Sequence, residues 1–587
     1  MFAELACFSK RGLNRWARSA FAIALCAVGA AGCETSNYGF AGYDIPSGPP
    51  QSALSDYLAA QHARYDNATV LAADYYLAAL SQNPANSPVL RDRAYKLLIS
   101  DGRFSEAADL APSLSRGSLS YNLSKMVAVL EAMKGKRYKQ ALTRLDEVNG
   151  TGFDLLLKPI TRAWAHAGRK ERDEAFKSLE ALKTQRAFGG FYLEQKAYLE
   201  AYFGDWDDAK GTFSAALQEG RQLSSRGILD YAARLSRRGE FDTAVAAVDT
   251  VLSRAPRIAE LISARQQLSA GRAFRPYVNQ PADAVAEALY RTSTELVRKP
   301  TATSAIVYAR LATLLQPNLT AAYILIGDVY AAQSRFRQAS ATLADVDETG
   351  PLSTILISRK AAFYEQLDRT DDAIAVLQQA LDREPGNTLL QSELAELSRI
   401  HEQFDQSIAL YDQVIAATDP PDWRLYYGRG IAHEQNGDFV NAEPDLRQAL
   451  ALRPGDALIL NYLGYSLLDR GLKVEEAVAL IDAAVAARPN DGYIVDSQGW
   501  AAYLRGDYEK AVELLEKAVA LVPGDPTIND HLGDAYWKAG RYIEARFKWR
   551  QVLTMEPSTK QETRIAQKID LGLTLADSVR TGTPVTR

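Results

Sequence analysis

Fourteen small residues fall on a nearly regular grid, and this grid constrains the fold more than any other feature of the chain. Ala73, Ala107, Ala141, Ala175 and Ala209 are 34 residues apart, and Ala244 follows 35 later. Beyond a break come Ala305, Ala339, Ala373 and Ser407 at 34, Ala442 and Ala477 at 35, then Ala511 and Ala545 at 34. A fixed period of this length predicts stacked supersecondary units, each burying its apolar face against its neighbours. Such a chain presents a long surface rather than a reaction centre.

The unit is clearest near the C-terminus. Gly499, Ala511, Ala518 and Pro523 recur as Gly533, Ala545, Val552 and Pro557, and appear one period earlier as Gly464, Ala477, Ala484 and Pro489. Paired helices approach to about 8–10 Å only where small side chains face each other, and proline ends the second helix. Gly437-Asp438-Phe439, Gly506-Asp507-Tyr508 and Gly540-Arg541-Tyr542 mark the turn between helices, where glycine supplies a left-handed residue. The aromatic three before each grid alanine is expected to pack on the pair. This pattern of small residues and prolines resembles the tetratricopeptide repeat. The N-terminal half keeps the turn signal in Gly204-Asp205-Trp206 and Gly239-Glu240-Phe241.

Between Ala244 and Ala305 the spacing is 61, one period plus 27. Arg257–Leu268 reads as a lone helix, Arg272–Pro281 as a loop, and Ala282–Val297 as the next helix. An odd helix changes the stacking phase, which predicts a joint. The expected fold is all-α, a right-handed α-solenoid of about 14 such helix pairs in two superhelical segments. Its parts are a signal peptide (1–32), a flexible tether (33–52), an N-terminal array (53–256), a connector helix and loop (257–285), a C-terminal array (286–557), and a capping helix with a frayed tail (558–587).

The leader has a basic start in Lys10, Arg11, Arg15 and Arg18, a short apolar stretch from Ser19 to Ala31, and Gly32-Cys33. That is a secretory pattern, too short for an ordinary membrane span. Ala30-Ala31-Gly32-Cys33 resembles a lipoprotein signal, which implies lipidation of Cys33. Glu34 after it, where retained lipoproteins carry Asp, implies the outer membrane. Cleaved soluble export and a retained leader are the other readings. Loss of four basic residues and Glu4 moves the net charge from −5 to −8, which argues against nucleic acid as main partner. Cys7 and Cys26 leave with the leader, so no disulfide framework is expected. Glu34–Gln51, rich in Gly and Pro, reads as a tether spanning roughly 25 Å.

No catalytic constellation is present, and no cofactor or metal is expected. His401-Glu402 and His433-Glu434 lack the second histidine of a zinc helix and read as solvated turn residues. At 100° per residue, the face of each first helix opposite its partner carries Tyr427, then Asn461 and Tyr465, then Asp496, Trp500 and Tyr503, then Asp530, Asp534 and Trp537. In a tetratricopeptide array this face lines the concave groove. Asp and Asn there suit peptide N–H groups or basic side chains, and the aromatics supply rigid contact area. The competing reading is that Trp500 and Trp537 fill gaps between adjacent first helices. The Lys and Arg that hold chaperone carboxylates in related grooves are missing, which favours a basic or neutral peptide. Arg541, Arg546, Lys548 and Arg550 form a basic stretch that reads as a solvated outer face.

Asn461-Tyr462-Leu463-Gly464-Tyr465, Asp496-Ser497-Gln498-Gly499-Trp500 and His531-Leu532-Gly533-Asp534 through Trp537 resemble a block of exported proteobacterial tetratricopeptide proteins. One type is an outer-membrane lipoprotein that brings cell-wall hydrolases to a carboxyl-terminal processing protease. The resemblance implies a non-catalytic envelope adaptor, with one partner in the C-terminal groove and another on the N-terminal arc or outer face. A structural assembly factor of an outer-membrane or pilus complex is the alternative. An enzyme with an unrecognised site is the third.

Overall fold

A computed structural model describes residues 52–573 apart from 67, 83–86, 149–153, 184–187, 219–222, 256–257, 298–300, 351 and 556. The leader, Cys33, nearly all of the tether and the frayed tail lie outside the described residues. Among those described, thirty α-helices follow one another and no strand occurs. In chain order they form fourteen helix–turn–helix pairs, with single helices at Ala259–Ser269 and Thr559–Leu571.

Every grid residue lies in the second helix of its pair, at the fourth position in thirteen of them. All fourteen, Ser407 included, have 0% exposure. The register has a steric cause. A Cβ on Gly464 would lie 2.9 Å from the Ala477 carbonyl oxygen, and one on Gly499 2.7 Å from Leu515 Cγ. Local signals fix the helix ends. Asp456, Asp491 and Asp525 each accept two backbone N–H groups at the start of a first helix, which satisfies donors the helix cannot pair internally. The turn glycines Gly506 and Gly540 have φ of 83° and 81°.

The chain divides into two compact units, 43–390 and 391–587 beyond the leader. The connector expected at 257–285 therefore lies inside the first unit. The reason is a set of buried polar contacts around it. The Val278 N–H donates to Asp230 at 2.9 Å, and the Arg226 guanidinium sits 3.8 Å from the Tyr277 ring centre.

In the first unit, the helices Pro281–Glu295 and Ala302–Leu315 pack back on the first helices Pro88–Asp101, Leu119–Lys134, Asp154–Gly168 and Gly189–Phe203. Twelve residues of Pro281–Glu295 are buried, so this helix is enclosed all round. Buried charges fix it: Arg226 donates to both oxygens of Glu287 at 2.6 and 2.7 Å, and Arg291 pairs with Glu194 at 3.0 Å. Arg310 reaches the Ser100 carbonyl at 2.9 Å. One continuous apolar core results, from Ala73 to Phe363. The N-terminal arc expected to receive a partner is thus filled by the chain's own hairpin. In the second unit the core is a series of smaller clusters between neighbouring repeats, as in a stack that grows in one dimension.

Candidate protein-binding face

The candidate residues belong to the second unit, on first helices Trp423–Gln435, Ala457–Asp469, Gly492–Leu504 and Pro526–Lys538. The repeat places equivalent positions of successive first helices beside each other. One row runs Tyr427, Asn461, Asp496, Asp530, Arg564, and the next, one turn on, Tyr465, Trp500, Asp534, Lys568. Arg564 and Lys568 belong to the final single helix, Thr559–Leu571, which takes the place of a further first helix.

This register overturns part of the sequence reading. Asp496, Asp530 and Asp534 are 7%, 1% and 6% exposed, and all are already paired. Lys568 Nζ donates to Asp530 at 2.7 Å and to both oxygens of Asp534 at 2.7 Å. Arg564 also donates to Asp530, and the Trp549 indole N–H to Asp534 at 3.1 Å. His531 Nδ1 lies 3.0 and 3.1 Å from the Asp496 oxygens. A carboxylate at this depth is tolerated only with such partners; these three hold the last first helices together rather than waiting for a peptide. Burial raises the Asp534 pKa to about 6, with the Asp530 charge adding to it against the pull of Lys568. Burial works against protonation of His531, but Asp496, Asp530 and Asp534 outweigh it and hold its pKa above the ordinary value.

Trp537 is likewise a packing residue. It lies 5.5 Å from the Trp549 ring and 4.6 Å from Tyr542, with the Arg546 guanidinium 4.9 Å from its face. Its indole also fills the space where a Cβ on Gly572 would stand, 2.3 Å away.

The remaining candidates form a different surface. Tyr427, Asn461, Tyr465, Trp500 and Tyr503 are half-buried. Trp500 stacks on Tyr503 with ring centres 4.5 Å apart and 9° between planes, and on His531 at 4.0 Å and 18°. Tyr427 meets Trp423 at 6.1 Å and Tyr462 at 5.9 Å. Asn461 Oδ1 is buried with no hydrogen-bond partner among the described residues, an acceptor that the fold leaves unsatisfied at a cost. Burial, then Asp469 and Asp496, push the Tyr465 phenol up, so it stays a neutral donor.

Sequence reasoning missed Lys568, Arg564 and His531. The signal was available: Arg564 and Lys568 each stand 34 residues after Asp530 and Asp534, one period beyond the last complete repeat. The second His-Glu pair also differs from expectation. His433 has a side chain 15% exposed and lies 3.3 Å from Asp438, while Glu434 accepts from Tyr462 at 2.9 Å and Arg470 at 2.6 Å. Among the described residues no three His, Cys, Asp or Glu side chains gather to hold a metal. No described helix is long and apolar enough to cross a membrane.

Family profiles agree with this architecture over part of the chain. A tetratricopeptide repeat family profile matches residues 364–420, 393–446 and 429–492, and a TPR repeat profile matches 499–540. A TPR repeat-containing protein of Pseudomonas aeruginosa is 41% identical over 87 residues, 15% of this chain and 15% of that protein. The chain thus spans only about 15% of the length of that curated relative. Among solved structures, a tetratricopeptide repeat protein from Parabacteroides merdae aligns at 15% identity and TM-score 0.37, over 43% of this chain and 97% of its own. A chain of the APC/C hetero-tetramer Cut9–Hcn1 aligns at 15% identity and TM-score 0.37, over 89% of this chain and 96% of its own. MamA from Desulfovibrio magneticus aligns at 23% identity and TM-score 0.26, over 29% and 96%. Residues 364–492 and 499–540 are tetratricopeptide repeats, the best-marked part of an all-α array of helix pairs.

Proposed function

We propose that this protein is a non-catalytic adaptor that binds an extended partner segment along Tyr427, Asn461, Tyr465, Trp500 and Tyr503. Tetratricopeptide repeats mediate protein–protein interaction as a class. The observation that carries the reading is the half-buried row of Tyr427, Tyr465, Trp500 and Tyr503 on neighbouring first helices, with Trp500 stacked on Tyr503. These rings supply contact area at low entropic cost, and half-buried Asn461 adds a polar side chain among them. The covered faces support the same choice, since the hairpin 281–315 occupies the first helices of the first unit and Lys568 neutralises the last carboxylates.

The adaptor acts at the bacterial cell envelope, anchored through a lipid on Cys33 and facing the periplasm, its clients being cell-wall hydrolases presented to a processing protease. The leader pattern of residues 10–33 and the resemblance of the 461–465, 496–500 and 531–537 blocks support this placement. Tethering then raises the effective concentration of two bound partners with no bond made by this chain. The test is capture from membrane extracts with the full chain and with Asn461→Ala/Trp500→Ala. A protease and hydrolases held by the first and lost by the second support the adaptor. A stable set of envelope-assembly subunits, equally held by both, would replace it with an assembly factor.

A further inference from the structure

The second helix of the last repeat, Tyr542–Val552, turns Ala545, Trp549 and Val552 into the core. Ile543 and Phe547 point the other way and are 85% and 66% exposed. They stand one turn apart, so they form one ridge, and Arg550, one turn further, is exposed. One period earlier the same three positions are Glu509, Glu513 and Glu516, all exposed. Single exposed apolar side chains are ordinary on a protein surface. Two on one ridge, with a cation beside them where the preceding repeat carries three carboxylates, break the pattern of a solvated face. The other basic residues of the stretch are engaged: Arg541 with Glu544 and Glu516, Arg546 on Trp537 and the Ile569 carbonyl, and Lys548 with Asn529 and Gln551.

We infer that the ridge Ile543–Phe547–Arg550 is a second docking face, separate from the first-helix surface. Its occupant is a short amphipathic helix of a partner protein, carrying two apolar side chains one turn apart and a carboxylate opposite Arg550. Charge complementarity selects this occupant. A second copy of the chain would set ridge against ridge and offer Arg550 no carboxylate from the equivalent position. An anionic bilayer, which would extend over the adjoining second helix, would be repelled by the exposed Glu509, Glu513 and Glu516 there. The ridge gives the adaptor a place to hold one protein while its first-helix face holds another.

The test uses the full chain and a labelled synthetic 14-residue helical peptide with two leucines four apart and a glutamate one turn beyond, followed by fluorescence anisotropy. Saturable binding is expected, weakened at least tenfold by Ile543→Gln/Phe547→Gln. Arg550→Glu should transfer preference to a peptide with lysine in place of the glutamate. These side chains are exposed, so the melting temperature should hold, and capture through Asn461 and Trp500 should be unchanged. Equal binding of the acidic and basic peptides, or affinity untouched by the variants, overturns the proposal. So does a wild-type dimer that Ile543→Gln/Phe547→Gln dissociates, or a loss of binding to anionic vesicles in place of the peptide.

Discussion

The Lys568 ammonium lies 2.7 Å from both carboxylate oxygens of Asp534 and 2.7 Å from Asp530, and its side chain is 4% exposed. The final helix has few apolar anchors, Ile565 being fully buried and Ile569 partly so. A buried cation therefore does much of the work of seating the cap that terminal repeats require.

Lys568→Met should destabilise the second unit by about 3–5 kcal/mol, because it leaves the buried Asp534 carboxylate without its cation and Asp530 with Arg564 alone. Trp549 and Trp537 lie beside the network, so urea unfolding followed by tryptophan fluorescence reads the change. A shift below 1 kcal/mol would mean that the helix seats on its apolar residues alone.

The same cluster gives a pH dependence with a definite sign. Asp534, pushed up to about 6 from an ordinary 3.8, and His531, held above 6.5, both bind protons more tightly folded than unfolded. Such groups stabilise most below their unfolded pKa and lose that contribution as pH rises through the folded value. Asp496, Asp530, Arg564 and Lys568 face the pair, so the window is local to the cap. Amide exchange in Thr559–Leu571, corrected for intrinsic rates, should lose protection as pH rises from about 4 through about 6, and further above 6.5. His531→Asn should flatten the upper part of that slope. Rising protection across the window contradicts the assignment.

In the first unit, Glu287→Gln should cost about 3–5 kcal/mol by breaking the buried bidentate pair with Arg226. Limited proteolysis should then cut the connector near 270–280, which the hairpin keeps in place. Unchanged protease resistance would show that apolar packing alone retains the hairpin.

Ala511→Leu should destabilise by about 1–3 kcal/mol through overpacking of a position with no exposed surface. The opposite effect is expected at Asp368, whose φ of 57° strains a residue with a Cβ. Asp368→Gly should stabilise by about 0.5–1 kcal/mol, the relief of a left-handed conformation less glycine's added unfolded-state entropy. Thermal unfolding distinguishes the two signs.

The grid of small residues was legible because helix pairs must approach closely, a demand that recurs at a fixed period and leaves its mark on sequence. The turn glycines Gly506 and Gly540 were local signals of the same kind, while the capping role of Asp491 and Asp525 went unread. The return of Pro281–Leu315 onto helices far earlier in the chain left no periodic trace. Its ties, such as Arg291 to Glu194 and Arg310 to Ser100, are long-range and each occurs once. The acidic first-helix residues were misread for a related reason. Helical phase places Asp530 and Asp534 on a face, but only the next helix in the stack decides whether that face is open, and Lys568 closes it. Tyr427, Asn461, Tyr465, Trp500 and Tyr503 keep their candidate role because the structure leaves them half-buried rather than enclosed.

The central claim is that partners bind the open first helices between Tyr427 and Tyr503, and not the covered first helices of the first unit. Site-specific photo-cross-linking in cells tests it most directly, with a benzophenone amino acid placed in turn at Tyr427, Tyr465 and Tyr503, and at Phe191, Tyr198 and Ile228 of the first unit. Discrete protein adducts are predicted at the first three positions and none at the last three. Adducts at Phe191, Tyr198 or Ile228, with none at Tyr427, Tyr465 or Tyr503, would contradict the account.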